Sequence, residues 1–181
     1  MTYKIVFPNY LRPYRCRSLI RIGKDNDGGY LIDKKSMECA EILLSFGIDH
    51  DWSFESEFLK NTNCIVHSYD GSVGILFFLK KIKMRIRGLI TKPSKEYFEV
   101  SKYWFKLPLK FFSFFNLINN KNGPNHYEIN VGNKPEQITF QKTLDNLPIK
   151  SNKIFLKIDI ENDEYAILTE ILNNSDILTG L

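Results

Sequence analysis

The stretch KIFLKIDIENDEYAIL (153–168) sets four carboxylates, Asp159, Glu161, Asp163 and Glu164, within six positions, directly after an apolar β-rich run. Asp163 and Glu164 precede a helical spacing of Tyr165, Leu168, Ile171 and Leu172, where negative charge complements the positive end of a helix. That account does not cover Asp159 and Glu161. Alternation along an extended chain puts both on one side of the strand end, pointing together, and carboxylates so placed can accept a proton or face a cation. Two more groups stand at strand ends. Gly47, in SFGID, sits at a strand-to-helix turn where a backbone without Cβ can approach a ligand closely. Asp70 ends VHSYD, 23 residues beyond Gly47. Nucleotide-binding folds place an acid about 20 residues past such a glycine to hold ribose hydroxyls. Taken singly, Gly47 reads as a plain β-to-α turn, and Asp70 serves equally as a helix cap or turn former. The sequence offers no phosphate-binding loop and no cluster with metal-ligand spacing.

The elements that must position these groups follow from apolar patterning. SLIRIG (18–23) and GYLID (29–33) predict a hairpin turning at Asp27-Gly28-Gly29. The run EILLSFG (41–47) predicts a strand covered on both faces. It is followed by an amphipathic helix over 51–61 with Phe54 and Phe58 on one side and Asp51 or Ser53 as cap. CIVHSYD (64–70) is the next strand, and the chain between allows one crossover only. HYEINVG (126–132) alternates as a strand, 138–147 turns into a short helix, 153–160 is a strand and 163–172 a helix. NNKNGPN (119–125) has turn chemistry, and ILTGL (177–181) suits the start of another strand. This alternation predicts a single α/β domain over 1–181, with a mostly parallel sheet and helices on both faces. Ligands in such sheets sit outside the carboxyl ends of the strands, so Gly47, Asp49, Asp70, Asp159 and Glu161 should share one crevice.

Length and composition set the outer bounds. A chain of 181 residues with 43% hydrophobic and 25% charged residues fits one soluble globular domain. The opening MTYKIVFPNYLRPYRCRS lacks the apolar core of a signal peptide, and no window is apolar enough for a membrane span. Cys16, Cys39 and Cys64 are odd in number and widely spaced, which suits reduced thiols in a cytoplasmic protein better than a zinc site. The total charge of +4 is uneven: between Val73 and Asn122 eleven basic residues face two acids, a net of +9, which leaves −5 for the rest.

LLSFGIDHDWSFESEF, VHSYD and FLKIDIENDEYAIL together resemble the FkbM-like branch of S-adenosylmethionine-dependent methyltransferases, whose fourth core strand ends in Asp-x-Glu-Gly-x-Glu. RIGKDNDGGYLI resembles a segment found ahead of the first core strand in related proteins. The resemblance covers about 18–70 and 126–181. Asn162 stands in place of the family's glycine, a residue that tolerates a left-handed turn. The family's sheet has seven strands, so the resemblance implies a Rossmann-like class I sheet incomplete at the C-terminus. It further implies S-adenosylmethionine as cofactor, with Phe46, Gly47 and Asp49 at its methionine part and Asp70 on the ribose hydroxyls. Asp159 and Glu161 would line the place where sulfonium meets acceptor. Asp159 is the first choice of base for a hydroxyl acceptor and Glu161 the second. His50 and His126 are outsiders. The expected substrate is a small molecule or glycan, methylated on a sugar or glycan-precursor hydroxyl.

The segment 73–122 lies outside the resemblance and mixes eleven aromatic residues with its basic ones. Helices packing aromatics on the sheet are one reading. A cap for an anionic acceptor and attachment to an anionic membrane surface are the others, the last implying a peripheral place at the membrane. Nucleic acid ranks lowest, since no nucleic-acid module is recognisable. Two readings compete with the enzyme: a binding-only or inactive fragment, whose strand at 153–160 would expose an edge, and an NAD-type Rossmann enzyme. The latter needs GxGxxG after its first strand, where this chain has FGIDHDWS.

Overall fold

A computed structural model of the chain describes residues 16–25, 28–115, 124–161 and 163–173. An antiparallel hairpin of β1 (Leu19–Gly23) and β2 (Gly29–Asp33) leads into a short helix, α1 (Lys34–Cys39). Then come β3 (Ile42–Phe46), α2 (Ser53–Asn61) and β4 (Ile65–Tyr69). Two long helices follow, α3 (Ile75–Thr91) and α4 (Lys95–Phe114), and after them β5 (Asn125–Tyr127), α5 (Phe140–Asp145), β6 (Ile154–Ile158) and α6 (Glu164–Asn173). Strands β3 to β6 form one parallel sheet in the order β5-β4-β3-β6. The chain is thus α/β, and its strand order runs outward from β3 to β5 and then reverses to place β6 on the other side of β3.

Alternation in β3 decides what each face holds. Leu43 and Ser45 point to α2 and the hairpin, while Leu44 and Phe46 point to α5 and α6. On the first side Phe54 and Phe58, one helical turn apart, fill the space under Ile22, Ile32 and Met37. Full burial of a ring such as Phe58 contributes about 2–3 kcal/mol. On the second side Phe46 packs edge-on against Tyr69 and Phe140, with Ile167 and Ile171 of α6 closing the layer. A third core joins the α3–α4 pair to the loops after β3 and β4 through Ile48, Val73, Phe78, Trp104, Leu107, Phe111 and Phe115.

Several expectations change here. The strand expected over 126–132 is only β5, three residues long: at Glu128 the chain leaves the ladder, and Ile129 donates its N–H to the Tyr127 carbonyl in a tight turn. Pairing resumes as one isolated bridge between Val131 and Ile138. Helix α2 begins at Ser53, and neither expected residue stands at its N-cap position, which is Trp52; Asp51 instead accepts the Ser53 N–H at 3.1 Å. Helix α1 had no periodic signal, because it buries Met37 alone and is started by Asp33 accepting the Ser36 N–H. The turn at 119–125 falls largely, and the segment 177–181 wholly, outside the described residues, as do Asp27 and Asn162. Cys16, Cys39 and Cys64 are free thiols. No described helix is long and apolar enough to cross a membrane. Among the described residues β6 is a sheet edge.

His67 gives the fold a pH dependence. It lies buried in β4, stacked on Tyr127, whose hydroxyl is 3.2 Å from Nδ1. Burial lowers its pKa from 6.5 to about 4, so the folded chain keeps it neutral where the unfolded chain binds a proton. Its contribution is full above pH 6.5 and is lost as pH falls from there toward 4. Burial depresses His126 in the same direction. Urea unfolding at stepped pH should show wild type losing roughly 3 kcal/mol through His67 across that window. His67→Phe should flatten that part of the slope, and equal slopes would remove His67 as its source.

Candidate functional site

The C-terminal tips of β3, β4 and β6 open into one cavity of about 660 Å³, within the range of small-molecule sites. It sits where the strand order reverses between β3 and β6. The turn after β3 forms one wall and is held in a conformation that ordinary residues avoid. Gly47 has φ +74°, and a Cβ there would lie 1.9 Å from the Asp159 carbonyl oxygen. Asp49 has φ +44°, a region that Asp visits more readily than most residues. The sequence pattern SFGID thus encodes a turn that lets the tips of β3 and β6 touch.

Asp70 organises this turn. Its Oδ2 accepts the N–H groups of Ile48 (2.9 Å) and Asp49 (2.8 Å), while Oδ1 accepts the Ser72 N–H (2.8 Å) and hydroxyl (2.6 Å). Four donors engage the lone-pair sites of one buried carboxylate. The successive N–H groups after Gly47 make an anion nest, and the protein fills it with its own acid. Of the four donors, only the Ser72 hydroxyl can be withdrawn by side-chain rotation. A ribose contact at Asp70 therefore has to replace that bond.

Asp159 and Glu161 both line the cavity and are exposed. Asp159 accepts a hydrogen bond from the Tyr30 hydroxyl, which reaches over from the β1–β2 hairpin. Asp49 also lines the cavity, its carboxylate against the His50 ring, and His50 stacks on Trp104 of α4. Phe46 does not line it: two-residue alternation turns its ring into the core between Tyr69 and Phe140, which corrects its expected place beside a ligand. His126 lies among Phe111 and Phe115, donating from Nε2 to the Val73 carbonyl at 2.8 Å, away from the cavity. Asp163 is held by Lys134 and Gln137, which keep its carboxyl below the usual range, and it stands just before α6.

Lys157 is the residue the sequence reading missed. It is buried in β6 beside Ser45, and its Nζ donates to the Gly47 carbonyl at 2.8 Å and to Glu55 Oε1 at 3.2 Å. Ser45 donates to the same Glu55 oxygen at 2.5 Å, and the ammonium also sits over the Tyr30 and Phe54 rings. A buried ion pair thus backs the glycine turn. One signal was available: Lys157 is the lone charge inside an apolar strand, two residues before Asp159 and so on the same side of it.

Seven carboxylates and two lysines line the cavity. That excess favours a ligand carrying positive charge and opposes a diphosphate. Among the described residues no group of three or more His, Cys, Asp and Glu could hold a metal ion. The chain matches no family model, no curated protein and no solved structure.

Proposed function

We propose that the chain is a methyltransferase-like domain of Rossmann-like class I topology that binds S-adenosylmethionine and methylates a hydroxyl of a sugar or glycan precursor. The observation that carries this reading is the convergence of the β3, β4 and β6 tips on one acid-rich cavity at the reversal of strand order. The order β5-β4-β3-β6 is third, second, first, fourth in chain sequence, the inner order of doubly wound sheets, whose ligands bind at that reversal.

The residues present fit such a cofactor. Its cationic sulfonium and ammonium suit the acidic lining, and Gly47 leaves room where a Cβ would block the turn. When bound, S-adenosylmethionine supplies an electrophilic methyl group. Asp49 would pair with the ammonium, and Asp70 would meet the ribose once the Ser72 hydroxyl turns away. Asp159 and Glu161 would complement the sulfonium, and either could take the acceptor's proton. The Tyr30 hydroxyl donates to the Asp159 carboxylate and occupies one of its oxygens, so Glu161 is the less encumbered base. Positioning of the acceptor in line with the methyl carbon supplies much of the rate.

Isothermal titration of the purified chain with S-adenosylmethionine should give saturable binding, and titration with NAD none. Asp49→Asn keeps the side-chain shape and the left-handed turn while removing one charge. It should weaken S-adenosylmethionine binding roughly tenfold with an unchanged melting temperature. Saturable binding with no methyl transfer to any tested glycan would favour the binding-only alternative, and no binding at all would end the cofactor reading.

A further inference from the structure

The α3–α4 pair is anchored to the domain along one side, through Ile48, Trp52 and Val73. Elsewhere it presents large apolar side chains to solvent. On α3 these include Ile75, Leu79, Ile86 and Ile90, the last 77% exposed, and their spacing draws a single stripe along the helix. On α4 Phe98, Phe105 and Leu109 draw a second. Contacts of Phe78 with Phe111 at one end and Arg85 with Tyr97 at the other make the helices antiparallel. At about 100° per residue, each stripe lies roughly a third of a turn from the helix–helix seam, in the same rotational sense along each helix. In an antiparallel pair that places both on one face.

Basic residues flank both stripes. Lys80, Lys83 and Arg87 border the first, and Lys95, Lys102 and Lys106 border the second. Residues 75–114 carry ten basic residues against Glu96 and Glu99, a net of +8. Glu99 is paired with Lys102 at 2.8 Å.

We infer that this face docks on an anionic lipid bilayer. The apolar stripes enter the boundary between headgroups and acyl chains, and the flanking lysines extend their ammonium groups back to the phosphates. Neither helix is long and apolar enough to cross a membrane, so the pair lies along the surface. Charge selects this occupant over two others. A second copy of the chain would set +8 against +8, and a nucleic acid would neutralise the lysines yet leave both stripes in water. Docking is independent of the transfer reaction proposed above, because it needs neither cofactor nor acceptor.

Co-sedimentation of the whole chain with vesicles tests it, using phosphatidylcholine alone and phosphatidylcholine with phosphatidylglycerol. The protein should pellet with the anionic vesicles and not the neutral ones, and added salt should weaken the association. Lys83→Gln with Arg87→Gln should lower partitioning about thirtyfold. Leu79→Ser with Ile86→Ser and Ile90→Ser keeps every charge and should lower it roughly a hundredfold. All five positions are exposed, and an unchanged far-ultraviolet circular dichroism spectrum confirms that the variants fold. No pelleting, equal pelleting with neutral vesicles, or pelleting that ignores either variant overturns the inference. So does a dimer that the serine variant dissociates while wild type ignores vesicles.

Discussion

Lys157→Met should lose about 3–5 kcal/mol of stability in urea unfolding, because it leaves Glu55 buried and charged without its cation. The pair is closed off: Lys157 is 7% exposed and Glu55 0%. Among the described residues the other Glu55 oxygen already lacks a hydrogen-bond partner, so the loss adds to an existing deficit. The loss should also loosen the turn after β3, since the Gly47 carbonyl gives up the Lys157 ammonium that donates to it at 2.8 Å. S-adenosylmethionine affinity should therefore fall beyond what the stability change explains. Pairing the substitution with Glu55→Gln removes the stranded charge and should restore more than half of the lost stability. If the single variant loses less than about 1 kcal/mol, the pair does not hold the turn in the manner its geometry implies.

Gly47→Ala is the second large effect, and its cause is steric. Its φ of +74° costs an L-residue about 1–2 kcal/mol. The new methyl group would also sit 1.9 Å from the Asp159 carbonyl oxygen, which belongs to backbone and cannot rotate aside. Separating the tips of β3 and β6 adds about 1–3 kcal/mol by analogy with overpacked cores. A stability loss of about 2–5 kcal/mol is expected, with loss of cofactor binding in whatever folded protein remains. A variant that melts like wild type and still binds would mean that the two tips are not held in contact.

Much of this arrangement was legible in the sequence because it rests on periodicity and on special residues. The apolar runs at 41–47, 64–70 and 153–160 became β3, β4 and β6 within one or two residues, since buried parallel strands leave few alternatives for such runs. Gly47, Asp49, Asp70, Asp159 and Glu161 do line one cavity, as strand ends in a parallel sheet require. Asp70 was harder to read. Its position was clear, but its engagement with Ile48, Asp49 and Ser72 depends on how two loops fold toward each other. Phe46 fell to a register rule: one residue further along the strand reverses the face. Lys157 and Glu55 are far apart in sequence and meet only through packing of α2 on the sheet. Glu55 stands in SFESEF among other polar residues, and nothing in that neighbourhood marks it as buried. The 73–122 segment was half legible. Phe78, Trp104, Phe111 and Phe115 are buried, but against one another, the loops after β3 and β4 and His126 rather than across the sheet, while Phe98, Tyr103 and Phe105 stay outside.

Trp104, midway along α4, is where the helix pair and the cavity meet. Its indole takes Lys81 and Arg85 of α3 against the ring and stacks on His50, which belongs to the rim of the cavity. The face inferred to dock on lipid and the loop carrying Asp49 therefore share a contact through one side chain.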